Sequence, residues 1–254
     1  MTKLSVNIIT LNEEENIKTC LESIKDIADE IIIVDSGSSD RTIEIAKKYT
    51  KKIFYRKFDD YSSQKNFALE KSSGEWILSL DADEEISQDL AKEIKQAIKK
   101  DNCNGFYISR KNILLGKVIN HTRWSPDKHI WLFRKGFGKW VGEIHEEVLV
   151  DGNTLELSGS KIHHSYSTVT EFFAMTNDYT SKIALSEHKK GHRFSLFKLL
   201  IAFPRSFIGR YFMKMGFLDG WRGFVLSYMM GIYRMITVVK LWEISQKKLQ
   251  KEKV

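Results

Sequence analysis

Residues 4 to 11, LSVNIITL, are an apolar run that predicts a buried strand, and the polar Asn12, Glu13, Glu14 and Glu15 predict a helix start behind it. Asn12 suits an N-cap, and the acids face the positive end of the helix dipole. That helix is expected to reach about Ile27. EIIIVD (30–35) is a β-branched run ending in Asp35, SGSSD is a polar turn, and RTIEIAKKY (41–49) returns to helical spacing with Asp40 as a cap. KIFYR (52–56) reads as a third strand, residues 62 to 71 as a helix, and EWILSL (75–80), after Gly74, as a strand running straight into DADEE.

Strands alternating with helices imply right-handed crossovers and a parallel sheet covered on both faces. Ligands of such sheets sit beyond the carboxyl ends of the strands. Asn12, Asp35, Asp81 and Asp83 each follow a predicted strand, so they are expected to meet in one crevice. Ser87 caps a helix to about Lys100, after which shorter strands are expected: GFYISR (105–110), HIWLFR (129–134), EEVLVDG (146–152) and SKIHHS (160–165). From Val169 onward the pattern is helical, divided by a polar stretch at 186–193.

Composition changes this picture in two places. The 254 residues carry only two prolines and two cysteines, so a disulfide framework, a four-cysteine zinc site and long disordered tracts are excluded. The N-terminal apolar run is broken by polar residues and has no signal-peptide pattern, which predicts a cytoplasmic chain. Net charge is +7, but the charges are unevenly spread: residues 189–254 hold 14 Lys+Arg against Asp219, Glu243 and Glu252. A basic, aromatic tail points to an anionic surface. Its aromatics lie in long apolar runs and do not alternate singly with basic residues, which argues against nucleic acid.

Within 194–217 the residues Lys198, Arg205, Arg210 and Lys214 interrupt the apolar run, and Arg234 would fall near the centre of a span over 223–242, at a cost of about 2.5–3.5 kcal/mol. Amphipathic helices lying in the membrane interface fit both segments better. The alternative use of these apolar faces is packing on the rest of the chain or a homo-oligomer contact.

Asp81 and Asp83 flank Ala82 directly after a buried strand, a spacing that suits a hard divalent cation, Mg²⁺ or Mn²⁺, with phosphate oxygens completing its shell. Asp35 heads a run of small residues that lets a ligand approach the backbone, and a fixed carboxylate there can accept from the imide N–H of uracil or from guanine. No GxGxxG or GxxxxGK[ST] is present, so the usual dinucleotide and P-loop cradles are absent.

IITLNEEENI, IIIVDSGSSDRT, the Gln64-Lys65-Asn66 helix and GEWILSLDADEEIS together resemble glycosyltransferase family 2, which has the GT-A nucleotide-sugar-binding fold. GFYISRKN, DKHIWLFRKG, WVGEIHEEV, HHSYS and GFLDGWRG resemble a branch that includes lipopolysaccharide core glucosyltransferases. The resemblance implies a GT-A catalytic domain over 1–187, with its nucleotide half at 1–100 and its acceptor half at 101–187, and a basic membrane-associating extension at 188–254. It also implies an inverting, single-addition transfer from a nucleotide-diphosphate sugar, UDP-glucose by analogy, to a lipid-linked saccharide on the inner face of the cytoplasmic membrane. The QxxRW motif of the processive synthases is missing.

On the same resemblance the donor is met by Thr10, Asn12, Glu13, Asp35, Lys65, Asp81, Ala82, Asp83, Arg110 and His164, with Asp83 and His164 toward the metal. Glu146 is the expected base, with Glu143 and Glu147 as rivals. Arg110, Trp124 and Arg134 match branch positions around the sugar and acceptor cleft. The reading from a different class is a catalytically silent, membrane-bound nucleotide-sugar scaffold.

Overall fold

The computed structural model describes residues 3–100, 102–142, 146–166 and 168–251, with side chains described to residue 246. The chain forms two compact units. The first comprises residues up to Lys111 and Asp127–Ser165, and the second comprises Asn112–Pro126 and Tyr166 onward. The boundary expected after residue 187 falls inside a continuous helix, Val169–Lys189.

In the first unit the strands β1 (Leu4–Thr10), β2 (Glu30–Asp35), β3 (Ile53–Tyr55) and β4 (Trp76–Asp81) are joined by helices α1 (Ile17–Ile24), α2 (Thr42–Ala46) and α3 (Tyr61–Lys71). They pair in parallel in the order β3-β2-β1-β4. Every residue of β1 is buried, as a strand covered on both faces requires. A short strand β5 (Glu84–Ile86) follows DADE directly, and α4 (Gln88–Ala97) starts on Ser87, whose hydroxyl accepts from Leu90 N. The sheet then turns antiparallel through β6 (Gly105–Leu114), β8 (Lys128–Arg134) and β11 (Thr154–Tyr166), with β5 on the far edge. β9 (Gly138–Val141) and β10 (Glu147–Val150) make a separate hairpin. The parallel half followed by an antiparallel half is the GT-A arrangement expected from the resemblance.

The start of the first helix departs from expectation. Asn12 does not cap it: its backbone is left-handed at φ 54°, and α1 begins only at Ile17. The reason is tertiary. Asn12 Oδ1 accepts from Ser39 N at 2.8 Å and Asn12 N donates to Ser38 Oγ, so the side chain that would cap a helix holds the next loop instead. The short strands β5, β7 (Lys117–Ile119) and β9 were not expected either, being too short for an alternating pattern.

In the second unit β7 pairs with Asn112–Leu114, and the helices are α5 (Val169–Lys189), α6 (Leu196–Ile208) and α7 (Trp221–Lys251). A π-helical turn (Gly209–Met213) and a 3-10 turn (Gly216–Asp219) join the last two. Leu114, Ile119, Phe172, Leu226 and Met229 form its core. Gly223 packs so closely that a Cβ would stand 1.8 Å from Gly216 O. Within α7, Trp221–Gln246 is long and apolar enough to cross a membrane, and a third of it is buried in the protein.

Candidate active site

β1, β2 and β4 end level with one another. Their register sets Thr10 beside Asp35 and Ile9 beside Asp81, so the three polar ends stand in a row. Thr10 Oγ1 and Asp81 Oδ1 are buried without an aligned hydrogen bond among the described residues. Buried polar atoms rarely go unpaired, and the orphaned Thr10 hydroxyl at a strand end suits a polar ligand.

Asp35 is 7% exposed and turns its carboxylate back on its own loop. Oδ2 accepts from Gly37 N at 2.9 Å and Ser38 N at 3.0 Å, and Oδ1 accepts from the Ser38 hydroxyl. Gly37, at φ 106°, supplies the backbone conformation this return needs. Asp35 also lines a groove of about 600 Å³ with Ile43, Lys47, Lys51, Ile53 and Tyr55. Asp40 receives Thr42 N and Glu14 N, and Glu13 N donates to Thr42 Oγ1, so the loops after β1 and β2 brace each other.

Lys65, on α3, is 2% exposed and lies between two carboxylates. Its Nζ is 2.8 Å from Glu146 Oε1 and 3.1 Å from Asp81 Oδ1, the latter at ion-pair distance without hydrogen-bond alignment. The rings of Trp131 and Trp140 flank the ammonium at 5.3 and 4.7 Å. Burial works against the charge, but Asp81 and Glu146 outweigh it and hold Lys65 above the ordinary lysine value. The first residue of the DxD pair and the expected base therefore share one cation.

Glu84 is fully buried and organises the turn from within. Its Oε2 accepts from Asp81 N at 3.0 Å and from Lys161 Nζ at 2.5 Å, while Arg110 Nη1 lies 3.3 Å from Oε1. Arg110 also donates to Asp127 Oδ2 at 2.7 Å. Burial would raise the Glu84 carboxyl, but the Lys161 and Arg110 charges hold it below its usual range. Arg110 is thus committed to two carboxylates, Glu84 and Asp127.

The two histidines exchange their expected places. His163 Nε2 stands 3.1 Å from Asp83 Oδ2, whereas His164 Nε2 meets Glu85 Oε1 at 3.2 Å. Along a strand, neighbouring side chains point to opposite faces, so only one of the pair can reach Asp83. Burial opposes protonation of His163, but the Asp83 charge and hydrogen bond raise it above the usual imidazole value. Among the described residues no three His, Cys, Asp or Glu side chains gather around one point. Asp83 with His163, and Asp81 close by in the chain, suit a cation that draws most of its shell from phosphate and water.

Glu13 is pushed up to about 7, first by burial and then by the charges of Asp83, Asp81 and Asp40, although Asn16 donates to it. Ala82 is buried beneath the turn. Gln64 and Asn66 are occupied internally: Gln64 holds Ser36 and Arg56, and Asn66 exchanges hydrogen bonds with the Trp140 backbone. Arg134 pairs with Glu75 and stacks on Trp76, at the opposite end of β4 from Asp81, so a place in the sugar cleft does not hold for it. Trp124 belongs to the second unit, where it packs on Tyr166. Glu143 lies outside the described residues, and Glu147 is exposed on β10. Sequence reasoning missed Glu84, Lys161 and His163; the only signal was that Glu84 and His163 adjoin residues already singled out.

The model of glycosyl transferase family 2 matches residues 5–150. An uncharacterized glycosyltransferase of Rickettsia typhi is 32% identical over 97% of this chain and 89% of its own length. The lipopolysaccharide core biosynthesis glycosyltransferase LpsC of Rhizobium meliloti is 29% identical over 94% of this chain and 92% of its own length. Among solved structures, S. aureus TarS in complex with UDP-GlcNAc aligns over 98% of this chain and 92% of its own at 16% identity, with a TM-score of 0.48. That likeness is too remote to bear on substrate or metal. With the family pattern spanning more than half of the sequence, and with relatives similar along nearly all of it, the chain belongs to glycosyl transferase family 2.

Proposed function

We propose that the chain transfers a single sugar from a nucleotide-diphosphate donor, UDP-linked, to a lipid-linked saccharide, with inversion at the anomeric carbon. The observation that carries the reading is the Asp81–Lys65–Glu146 cluster at the carboxyl end of β4. It sets a carboxylate suited to proton abstraction beside the strand ends where the family's donors are expected. Donor contacts fall to the orphaned Thr10 hydroxyl, to Asp35 and to Asn12 and Glu13 in the braced loops.

In the proposed step the acceptor oxygen bonds to the anomeric carbon, the bond from that carbon to the diphosphate oxygen breaks, and its electron pair leaves with the nucleoside diphosphate. Glu146 takes the acceptor proton. Lys65 holds Glu146 in place. Asp83, with His163 and with Asp81 beside it, would hold Mg²⁺ or Mn²⁺, and that ion would stabilise charge developing on the leaving diphosphate. The relative LpsC, named for lipopolysaccharide core biosynthesis, is the ground for a glycolipid acceptor of that kind. The basic extension, with α6 and α7, would keep the enzyme on the inner face of the cytoplasmic membrane.

Calorimetric titration of UDP, GDP and CMP with and without Mn²⁺ tests the donor half. Selective UDP binding that needs Mn²⁺ and disappears in Asp83→Ala is expected. Equal binding of all three nucleotides, or full binding by Asp83→Ala, overturns the donor and metal assignment. Absence of any nucleotide binding overturns the donor site, whereas nucleotide binding without any sugar transfer would favour the silent scaffold.

A further inference from the structure

The second unit contains a cluster of positive charge that none of the catalytic chemistry uses. Arg210 lies in the π-helical turn and its Nη1 donates to Thr122 O at 2.7 Å. Arg123, the residue after Thr122, brings Nη2 to within 3.9 Å of where a Cβ on Gly209 would stand, beside Arg210. Thr122 and Arg123 both have left-handed backbones, φ 60° and 68°, and Thr122 N is held by Lys214 O, so the loop is built to present these groups. Arg234 lies on α7 one turn after Met230, whose carbonyl accepts from the Ser206 hydroxyl of α6, and its charge acts on Arg210. Long helical side chains lean toward the helix N-terminus, which brings the Arg234 head toward that contact.

Among the described residues no carboxylate pairs with Arg123, Arg210 or Arg234. Asp219, the nearest acid in sequence to Arg210, is spent on the backbone N–H groups of Asn120 and His121 and on the His121 ring. Burial and the Arg123 and Arg234 charges push the Arg210 guanidinium down to about 10, a sign that like charges crowd there without a counter-ion. Arg210 is half-buried while Arg123 and Arg234 are exposed beside it; a partly buried cation flanked by like charges favours an anion, and guanidinium groups match the geometry of phosphate oxygens.

What surrounds the cluster narrows the source of that phosphate. Phe207, Tyr211, Phe224 and Tyr228 form a continuous ring network next to Arg210. Ile208, Phe212, Met213, Phe217, Leu218 and Trp221 are each 46% or more exposed on the same short stretch of chain. No residue of α6 is buried. An apolar surface of this density beside unpaired arginines is complementary to a bilayer interface, with acyl chains against the rings and headgroups against the cations.

We propose that Arg123, Arg210 and Arg234 form a binding site for the phosphate of an anionic lipid headgroup, seated beside the exposed aromatic stretch 207–228. The site deepens the membrane placement proposed above and rests on it. It adds a localised cluster to what would otherwise be diffuse attraction by the 14 basic residues of the tail.

The test is co-sedimentation of the full chain with phosphatidylcholine vesicles, with and without phosphatidylglycerol. Arg123→Gln/Arg234→Gln is compared with Lys189→Gln/Lys190→Gln, which removes equal charge outside the cluster. Both arginines are exposed, so folding should survive, and circular dichroism checks it. The arginine variant is expected to lose at least about tenfold more affinity for the phosphatidylglycerol vesicles than the lysine variant. Equal losses overturn the site and leave the membrane placement standing. Failure of the wild-type chain to bind any vesicle overturns the placement and the lipid source together; a rise in melting temperature with inorganic phosphate, absent from the arginine variant, would then assign the site to a soluble phosphate.

Discussion

Lys65 Nζ stands 2.8 Å from Glu146 Oε1, joining a helix that precedes the DxD strand to the segment that bears the expected base, 81 residues later. The same ammonium reaches Asp81, so one buried cation links the turn after β4 to the segment of the proposed base. A contact of this kind makes the two carboxylates interdependent.

Removing the shared cation should therefore cost more than removing either partner. Lys65→Met leaves two partly buried carboxylates facing each other and is expected to destabilise the fold by about 3 kcal/mol. Glu146→Gln keeps Lys65 paired with Asp81 and should cost about 1 kcal/mol while abolishing transfer. Urea unfolding of the two variants ranks them, and a Glu146→Gln enzyme with near wild-type transfer would place the base elsewhere.

The exchange of histidines makes a separable prediction. His163→Gln should weaken Mn²⁺-dependent UDP binding by roughly tenfold, through loss of the partner that orients Asp83. His164→Gln, whose imidazole meets Glu85, should change it less than twofold. Calorimetry on both variants gives the order, and the reverse order would restore His164 to the metal side.

Glu13 sets a pH signature. Its carboxyl is raised from 4.5 to about 7 in the folded chain, so between those values the folded state holds a proton that the unfolded state has lost. The stability this contributes is complete below about 4.5 and is lost as pH rises through 7, roughly 3 kcal/mol as an upper bound. Glu13→Gln cannot lose that proton. Its melting temperature relative to wild type should rise from pH 4.5 to 7.5, and a flat difference would show that Glu13 titrates normally.

The GFLDGWRG segment tests packing in the second unit. A Cβ on Gly223 would lie 1.8 Å from Gly216 O, which is backbone and cannot swing aside. Gly223→Ala should cost about 2–4 kcal/mol. Gly116→Ala meets nothing within 4 Å and bears only the strain of φ 73°, about 1 kcal/mol. Thermal melts of the two variants provide the comparison.

The parallel half of the fold was legible in the chain because each buried strand is a continuous apolar run closed by a polar residue, and local pattern alone specifies such elements. That Asp35 and Asp81 would stand at neighbouring strand ends followed from strand order, while Thr10 beside Asp35 came from the register, and Ser87 capped its helix as its position predicts, since a cap is a local hydrogen bond. What pattern could not supply was anything that depends on a distant partner. Asn12 is a good cap by type, yet it serves the loop of Ser38 and Ser39, a choice made only when β1 and β2 lie side by side. Arg134 looks like a ligand residue in the sequence but falls at the wrong end of β4 because β8 runs antiparallel to it. Glu84 and Lys161 became an internal pair only when β11 folded against β5, and which histidine faces Asp83 was decided by the same register. Sequence determined the elements and the residue types at their ends, because propensity and burial act over a few residues. Tertiary structure decided which of those side chains meet, because charge pairing and strand register act between segments far apart in the chain.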